Sequence, residues 1–338
     1  KSKNYLQFGE KHKPRSGLEL SYDYLLRGQD GYFLQKKIKH NVSKPLPSIY
    51  TILPKDGKDI VSTIDLEIQE YAHDALIAQL NNYKARFGTA IIMEVETGYI
   101  KAMVNLGKNK DGKFSERYNY AVLGSEKGKR IEPGSTFKLA SYMAYFESGG
   151  RIEDTINTMS GIYKFPNISK PIIDIKKNSG TLNIKQAFAE SSNVAIARLI
   201  DKKYKNNPQK FLDILDKFGL NQKSGIDLKK EKFPKCFKKV HQSGWSGASL
   251  PWITFGYGIN LTPLQILTFY NSVANNGIRA TPILVSHYIE ENDTILLSRE
   301  KKNNNKICSE KTLKYAHSIL RSVITDGTGK ELMNLPIN

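Results

Sequence analysis

The sequence contains little cysteine and no pattern of metal ligands. Cys236 and Cys308 lie far apart and form no C-x-x-C pair, so neither a disulfide framework nor a redox motif is indicated. The six histidines are placed singly, without the spacing of a zinc site. These absences predict a protein that uses neither a metal nor an organic cofactor.

Long hydrophobic runs are also missing. No stretch approaches the roughly 18 consecutive apolar residues that a membrane-spanning helix needs, and the N-terminus does not resemble a signal peptide. Because the first residue is Lys1, we expect the sequence to begin inside a longer protein, with any membrane anchor outside this chain.

Acidic residues are scarce relative to basic ones, which gives the 338-residue chain a formal net charge of +18. The excess is mostly lysine in scattered short runs such as Lys36-Lys37 and Lys229-Lys230, without a zinc-ligand or aromatic RNA-binding signature. We therefore expect no nucleic-acid partner and a solvated basic surface that anionic lipid or wall polymer can attract. With 39% hydrophobic and 25% charged residues, the chain is predicted to be globular.

The first 58 residues are predicted to form a region separate from the rest. They are polar and turn-rich, and Pro45 and Pro54, followed by Asp56-Gly57, indicate a loop or an extended linker. We therefore divide the chain into residues 1–58 and residues 59–338.

The second region shows strand and helix signals in an order typical of the α+β class. A β-rich run at 60–64 precedes a helix from 66 to about 83, for which Asp65 supplies an N-cap. Two β-rich runs flank Glu96-Thr97-Gly98 and predict a hairpin. Further helices are predicted at about 136–148, 184–190, 194–204, 208–217, 263–274 and 311–323, and a second hairpin at 282–290 and 294–298. Strands on both sides of many helices predict an antiparallel sheet with a helical lobe beside it.

The strongest chemical signal is the run Glu132-Pro133-Gly134-Ser135-Thr136-Phe137-Lys138. It precedes an apolar, helix-compatible stretch, so Ser135 is predicted at a helix N-terminus with Lys138 one turn later. Helical residues three apart have Cβ atoms about 5–6 Å from each other on one face. A serine hydroxyl needs a base to take its proton, and a lysine can be that base only if its pKa falls from about 10.4. Ser-x-x-Lys alone also fits a capping serine with a solvated lysine.

The setting of this pair resembles the active-site serine motif of penicillin-binding proteins, which share it with class A β-lactamases. Further stretches resemble class B penicillin-binding proteins in the same order along the chain: Gly17-Leu18-Glu19, Leu26-Arg27-Gly28, Thr63-Ile64-Asp65, Leu250-Pro251-Trp252, Gly256-Tyr257-Gly258 and Leu261-Thr262-Pro263-Leu264-Gln265. Trp245-Ser246-Gly247 looks most like the division-specific (septal) type of Bacteroidetes. The resemblance implies the penicillin-binding/serine β-lactamase-like transpeptidase fold in residues 59–338, preceded by the end of a pedestal domain in residues 1–58.

The family's second motif, Ser-x-Asn, is matched by Ser191-Ser192-Asn193 between two predicted helices. A hydroxyl at Ser191 can relay a proton between Lys138 and a leaving amine, and the Asn193 side chain can hold a substrate amide. A helix N-cap at Ser192 or Asn193 is a structural role compatible with this one. The candidate catalytic residues are therefore Ser135, Lys138, Ser191 and Asn193.

The family's third motif, Lys-Thr-Gly, is not present. Lys223-Ser224-Gly225 imitates it, but lies too early and in a predicted loop, while Gly327-Thr328-Gly329-Lys330 resembles the turn shortly before the true motif. The chain stops at Asn338, roughly where the missing strand is expected, so we interpret the sequence as truncated. That strand would supply a cation for the substrate carboxylate and one oxyanion-hole N–H. The isolated fragment is therefore expected to be catalytically crippled.

The resemblance implies a D-Ala-D-Ala transpeptidase that cross-links peptidoglycan stem peptides and is acylated by penicillin and other β-lactams. It also implies a position on the periplasmic face of the cytoplasmic membrane, a role in cell division, and membrane-bound division and glycan-polymerising partners. Two alternatives stay open. One is a D,D-carboxypeptidase or β-lactamase, in which water replaces the acceptor amine, and the other is an inactive scaffold with the same fold.

Overall fold

A computed structural model describes residues 4–7, 14–39, 42–46, 51–116, 118–124, 131–166, 168–176, 180–290, 293–297 and 306–335. Ser298 in the predicted second hairpin lies outside the described residues, as do Lys1 and Asn338 at the predicted points of truncation.

The strands in these ranges are short. In chain order they are β1 (Asn4–Gln7), β2 (Tyr32–Lys39), β3 (Val42–Pro45), β4 (Asp59–Ser62), β5 (Phe87–Met93), β6 (Ile100–Lys108), β7 (Phe114–Ser115), β8 (Thr155–Asn157), β9 (Ile162–Tyr163), β10 (Ile172–Ile173), β11 (Thr181–Asn183), β12 (Val285–Glu290) and β13 (Asp293–Leu296).

The α-helices are α1 (Gly17–Ser21), α2 (Asp23–Leu26), α3 (Leu66–Asn82), α4 (Tyr120–Leu123), α5 (Lys138–Glu147), α6 (Ile184–Ala189), α7 (Asn193–Tyr204), α8 (Pro208–Lys217), α9 (Ser249–Ile253), α10 (Pro263–Ala274) and α11 (Glu310–Thr325). A 3-10 helix, Gly134–Phe137, runs directly into α5. No helix of the described ranges combines the length and the apolar character that crossing a membrane requires.

The α+β prediction is confirmed. Among the described residues, the strands form the sheets β1-β2-β3, β13-β12-β4, β5-β6-β7, β9-β10 and β8-β11, and each of these pairings is antiparallel. The predicted hairpin around Glu96-Thr97-Gly98 is β5 and β6. The predicted second hairpin is β12 and β13.

The chain divides into two compact units. The first comprises Lys1–Thr63, Asp227–Lys230 and Ile283–Lys301, and the second comprises the remaining segments. Because both units are discontinuous in sequence, a single domain boundary near residue 58 stays a prediction.

A half-buried carboxylate joins three segments of the first unit. Asp227 accepts hydrogen bonds from the Tyr22 hydroxyl at 2.7 Å and from the backbone N–H groups of Leu284 and Val285 at 2.9 and 3.0 Å. Tyr22 and Val285 are also buried in the apolar cluster of this unit. The Asp227 side chain therefore joins the residue between α1 and α2, the loop at 227–230 and the start of β12, which are far apart in sequence.

In the second unit, α3 packs on the sheet β5-β6-β7. The Asp65 side chain accepts from the backbone N–H of Ile68 and caps α3, as predicted. Ala72 and Leu80 on the helix face Val104 and the rest of the buried side of β6. This two-layer arrangement follows from the burial of β6, which alternates at its start and is continuous from Val104 to Gly107, and from the apolar residues on one side of α3.

Most of the remaining helices surround α5. The sequence of α5 is mostly apolar apart from Lys138, Ser141 and Glu147, and its residues 138–144 are buried without interruption, together with Phe146. A helix that is apolar around its whole circumference belongs in a core. The helices α6, α7, α8, α10 and α11 contribute to the same large apolar cluster. Lys138, at the first position of α5, is buried for this reason.

Local sequence signals set the ends of the surrounding helices. Asn207 caps α8 and Pro208 follows at its first position, while Thr262, Pro263 and Gln265 form a capping box with proline at the start of α10. Both helices begin where they were predicted. Helix α9 and strand β2 were not predicted, because the first is short and interrupted by Pro251 and the second lies in a lysine-rich stretch.

Candidate active site

The predicted nucleophile, Ser135, lies in a tight turn at the surface. It belongs to the 3-10 helix Gly134–Phe137, and its side chain is exposed. Its carbonyl accepts the backbone N–H of Lys138. No described residue forms a hydrogen bond with its hydroxyl. The hydroxyl is therefore available to an incoming group.

The segment that follows α9 supports this turn from behind. The Gly134 N–H points to the Gly256 carbonyl at 3.4 Å, and the Ser141 hydroxyl donates to the Thr254 carbonyl at 2.8 Å. The Tyr270 hydroxyl of α10 donates to the carbonyl of Thr136 at 2.8 Å. The turn around Ser135 is thus fixed by contacts from both neighbouring elements.

The side-chain nitrogen of Lys138 contacts Ser191, the first residue of the Ser-x-Asn motif. Its side chain is only 2% exposed. Its Nζ donates to the Ser191 hydroxyl oxygen at 2.9 Å and also contacts the Ser191 carbonyl oxygen. Ser191 has a positive φ of 55°, which turns the chain between α6 and α7 and directs both oxygens at the amine. Lys138 and Ser191 therefore meet directly, as the two motifs predicted.

Burial lowers the pKa of Lys138 from its ordinary value of 10.5 to about 8, while the carboxylate of Asp174 opposes this shift. At pH 7 a group with this pKa is neutral in about a tenth of the molecules. A neutral lysine amine is a base, so Lys138 has the protonation behaviour that a proton acceptor for Ser135 requires.

The Ser-x-Asn turn is held by a buried acid that the sequence analysis did not single out. Asp174, which follows β10 and is 4% exposed, accepts from the Ser192 hydroxyl at 2.7 Å and from the Val194 N–H at 2.9 Å. The Ser192 hydroxyl also accepts the Ala195 N–H and caps α7. An aspartate inside the apolar run Ile172–Ile175 was the available signal, because a buried charge needs partners.

Asn193 lies in the same turn as Ser191. Its side-chain Nδ2 donates to the carbonyl of Ile173 at 2.9 Å, and its side chain is half-buried. The side-chain nitrogen of Asn193 therefore has a protein partner, whereas its side-chain oxygen Oδ1 has none among the described residues. The structure thus joins Lys138, Ser191 and Asn193 through one turn, with Ser135 one helical turn before Lys138.

Lys223-Ser224-Gly225, which resembles the family's third motif in sequence, has a structural role in a turn. The backbone N–H groups of Ser224 and Gly225 donate to the carboxylate of Glu231 at 2.6 and 3.2 Å. The Lys223 ammonium lies 5.6 Å from the centre of the Phe233 ring. Lys223-Ser224-Gly225 is therefore a turn organised around Glu231, as its early position in the sequence indicated.

Comparison with protein families matches residues 88–335 to the model described as "Penicillin binding protein transpeptidase domain". This range contains all four predicted site residues.

Two curated relatives illustrate the sequence similarity. Penicillin-binding protein PbpB of Mycolicibacterium smegmatis is 26% identical over 311 residues, which cover 91% of this chain and 46% of the relative. Peptidoglycan D,D-transpeptidase FtsI of Buchnera aphidicola subsp. Baizongia pistaciae is 26% identical over 314 residues, which cover 92% of this chain and 51% of the relative. The chain thus spans about half the length of these relatives.

The fold is also found in solved structures. Penicillin-binding protein 3 of Mycobacterium tuberculosis, solved in complex with aztreonam, has a TM-score of 0.72 at 24% identity, covering 92% of this chain and 64% of that protein. The predicted transpeptidase fold is confirmed by this likeness together with the family match.

Proposed function

Because the chain belongs to the class B penicillin-binding proteins through their transpeptidase domain, we propose that it carries the acyl-transfer site of a peptidoglycan D,D-transpeptidase. The observation that carries this proposal is the buried amine of Lys138 bonded to the Ser191 hydroxyl, one helical turn from the exposed hydroxyl of Ser135.

The proposed reaction has two acyl-transfer steps. The Ser135 oxygen attacks the carbonyl carbon of the penultimate D-Ala in a stem peptide, and its proton passes to neutral Lys138. The proton then moves through the Ser191 hydroxyl to the nitrogen of the terminal D-Ala, and the C–N bond breaks. An amine of a second stem peptide attacks the resulting ester, gives its proton to Lys138, and releases Ser135 with its proton restored.

The same site accounts for inhibition by β-lactams, which would acylate Ser135 as substrate mimics. An M. tuberculosis protein with the same fold is described as a complex with aztreonam. We further propose that the protein acts outside the cytoplasm, at the periplasmic face of the cytoplasmic membrane, with membrane-bound division and glycan-polymerising proteins. A septal role of the Bacteroidetes type stays a prediction.

Covalent labelling tests the proposal. The full-length protein is incubated with benzylpenicillin and examined by intact-mass spectrometry, followed by peptide mapping. We expect one penicilloyl group per molecule on the peptide that contains Ser135, and no adduct in the Ser135→Ala variant. An adduct that survives Ser135→Ala contradicts the assignment of the nucleophile. Complete absence of an adduct points to the scaffold alternative, and rapid release of penicilloate points to a β-lactamase.

The contact between Asp174 and the motif turn predicts a change in the pH profile. In the wild type, acylation should rise with pH around a midpoint near 8, as Lys138 loses its proton. The Asp174 carboxylate raises the pKa of Lys138, so Asp174→Asn, which keeps an acceptor for the Val194 N–H, should move this midpoint to lower pH. The measurement is the second-order rate of penicillin acylation between pH 6 and 9.5.

Asp154→Asn is the matched control. Asp154 also organises its surroundings, accepting from the Tyr145 hydroxyl at 2.5 Å and the Arg151 N–H at 2.8 Å, but it does not contribute to the pKa shift of Lys138. Its midpoint should stay with that of the wild type. A midpoint in Asp174→Asn that is unchanged or higher would show that the carboxylate does not act on Lys138.

A further inference from the structure

A cavity of about 630 Å³ lies in the second unit, between the loop at 234–249 and the segment at 252–260. Its lining is mixed and includes Lys235, Lys238, Trp252, Tyr257 and Asn260. It contains none of the four predicted catalytic residues, so it is separate from the Lys138–Ser191 cluster.

The cavity is nevertheless connected to the turn that carries Ser135. Gly258 lines the cavity, and its N–H donates to the Glu132 carboxylate at 2.8 Å, three residues before Ser135. Two residues earlier, the Gly256 carbonyl accepts the N–H of Gly134. A ligand in the cavity would therefore lie against the same segment that supports the turn around Ser135.

The charge of the lining favours an anion. The sequence from Lys232 to Ile289 contains no aspartate or glutamate. Lys235 and Lys238 are both exposed, and neither forms an ion pair with a described acidic side chain. The Lys238 ammonium instead lies 5.8 Å from the centre of the Phe233 ring. Glu132 at Gly258 is the acidic side chain that the described contacts place beside this lining. Lys235 and Lys238, which form no ion pair among the described residues, leave the cavity with an excess of positive charge that attracts carboxylates.

Two further features of the cavity indicate which kind of anion it would bind. The rings of Trp252 and Tyr257 pack edge to face with centroids 5.8 Å apart, and Tyr257 is 46% exposed, so an apolar surface borders the cavity. The side-chain oxygen of Asn260 is buried without a hydrogen-bond partner among the described residues. An unpaired buried acceptor is unfavourable, and a ligand N–H would satisfy it.

We propose that this cavity binds a second stem peptide, the acceptor of the transfer reaction, through a carboxylate at Lys235 and Lys238 and a peptide N–H at Asn260. This inference rests on the proposed function, because only a transpeptidase needs a place for an acceptor. The cavity and the turn that carries Ser135 share the segment Gly256–Gly258, which contacts Gly134 and Glu132.

Peptide binding to the acylated protein tests the inference, because the acyl group then blocks the place at Ser135 where the donor stem peptide would bind. The full-length protein is acylated with benzylpenicillin, which occupies Ser135, and then titrated with a fluorescently labelled synthetic stem peptide that ends in a single D-Ala. We expect saturable binding of the free-acid peptide and weaker binding of a peptide whose carboxyl groups are amidated. An exposed ion pair contributes up to about fivefold in affinity, so Lys235→Gln with Lys238→Gln should weaken binding by up to about 25-fold.

Lys311→Gln with Lys314→Gln is the matched control, since these lysines of α11 are also exposed and three residues apart. Asn260→Ala offers a second test, because removing an unpaired oxygen should not lower the melting temperature, whereas it should weaken peptide binding severalfold.

Equal binding of the acid and amidated peptides, or equal loss in the α11 control, would overturn the inference. If no penicilloyl adduct forms, the proposed function fails instead. The titration is then made on Ser135→Ala, where binding that depends on Lys235 and Lys238 would still support the cavity as a peptide site.

Discussion

Lys138→Met is expected to slow acylation of Ser135 by about 10²–10⁴-fold, which is the usual contribution of a positioned general base. Methionine is similar in length and apolar, so it can occupy the buried space of the lysine side chain. It cannot accept a proton, and it leaves the Ser191 hydroxyl without its amine partner at 2.9 Å. The measurement is the second-order rate of penicillin acylation at pH 8.

The control for this substitution is Lys210→Met. Lys210 lies on α8 and is exposed, so its loss removes one positive charge without touching the motif turn. Its acylation rate should stay within about twofold of the wild type, because exposed charges away from a site have small effects. A Lys138→Met rate within tenfold of the wild type would mean that another group takes the Ser135 proton.

The same variant provides a thermodynamic test of the depressed pKa. The pKa of Lys138 is about 8 in the folded protein and 10.5 in its ordinary state. Between these values the unfolded chain holds more protons at residue 138 than the folded chain, so stability rises with pH. The free energy of unfolding of the wild type should therefore gain on that of Lys138→Met by up to about 1.4 kcal/mol per pH unit in this window. Other titrating groups are common to both proteins and cancel in the difference.

The sequence predicted most of the fold in the second unit because its local signals agree with its packing. The caps at Asp65, Asn207 and Thr262 start their helices where expected, and the Glu96-Thr97-Gly98 turn joins β5 to β6. By contrast, β2 was missed because its lysine-rich sequence gives no clear strand signal, although its partner β3 follows directly along the chain. The pairing of β4 with β12 spans more than two hundred residues and has no local signal either.

The spacing of the motifs predicted which side chains form the candidate site. It did not predict which other residues hold those side chains in place. The meeting of Lys138 with Ser191 follows from the family's motif order. The roles of Asp174 and Gly256 do not, because each acts on residues far away in sequence. An acid in an apolar run such as Asp174 signals that a partner is needed but not which one. The close backbone contact of Gly256 is recognisable only in the folded chain.

Gly256→Ala is expected to show how much the site depends on such a contact. Gly256 has φ of 87°, and a Cβ at this position would lie 2.3 Å from the oxygen and 2.6 Å from the nitrogen of Gly134. These are backbone atoms, which cannot rotate away as a side chain can, so the turn carrying Ser135 must move. Displacing a reacting group by about 1 Å can reduce the rate about 10²-fold, and we expect a loss of that size in penicillin acylation. Strain and overpacking should also lower the free energy of unfolding by about 2–4 kcal/mol.

Gly149→Ala is the control that separates the effect of the Cβ contact with Gly134 from the effect of placing alanine at a positive φ. Gly149 has φ of 86°, almost the same as Gly256, but a Cβ there meets nothing within 4 Å. Gly149→Ala should therefore lower the free energy of unfolding by only about 1–2 kcal/mol, the cost of the left-handed conformation. Its acylation rate should stay close to that of the wild type. If both variants lose the same stability and the same acylation rate, conformational strain explains the effect. A selective loss of acylation in Gly256→Ala means that the segment after α9 fixes the position of Ser135, since the two substitutions differ chiefly in what the new methyl group meets.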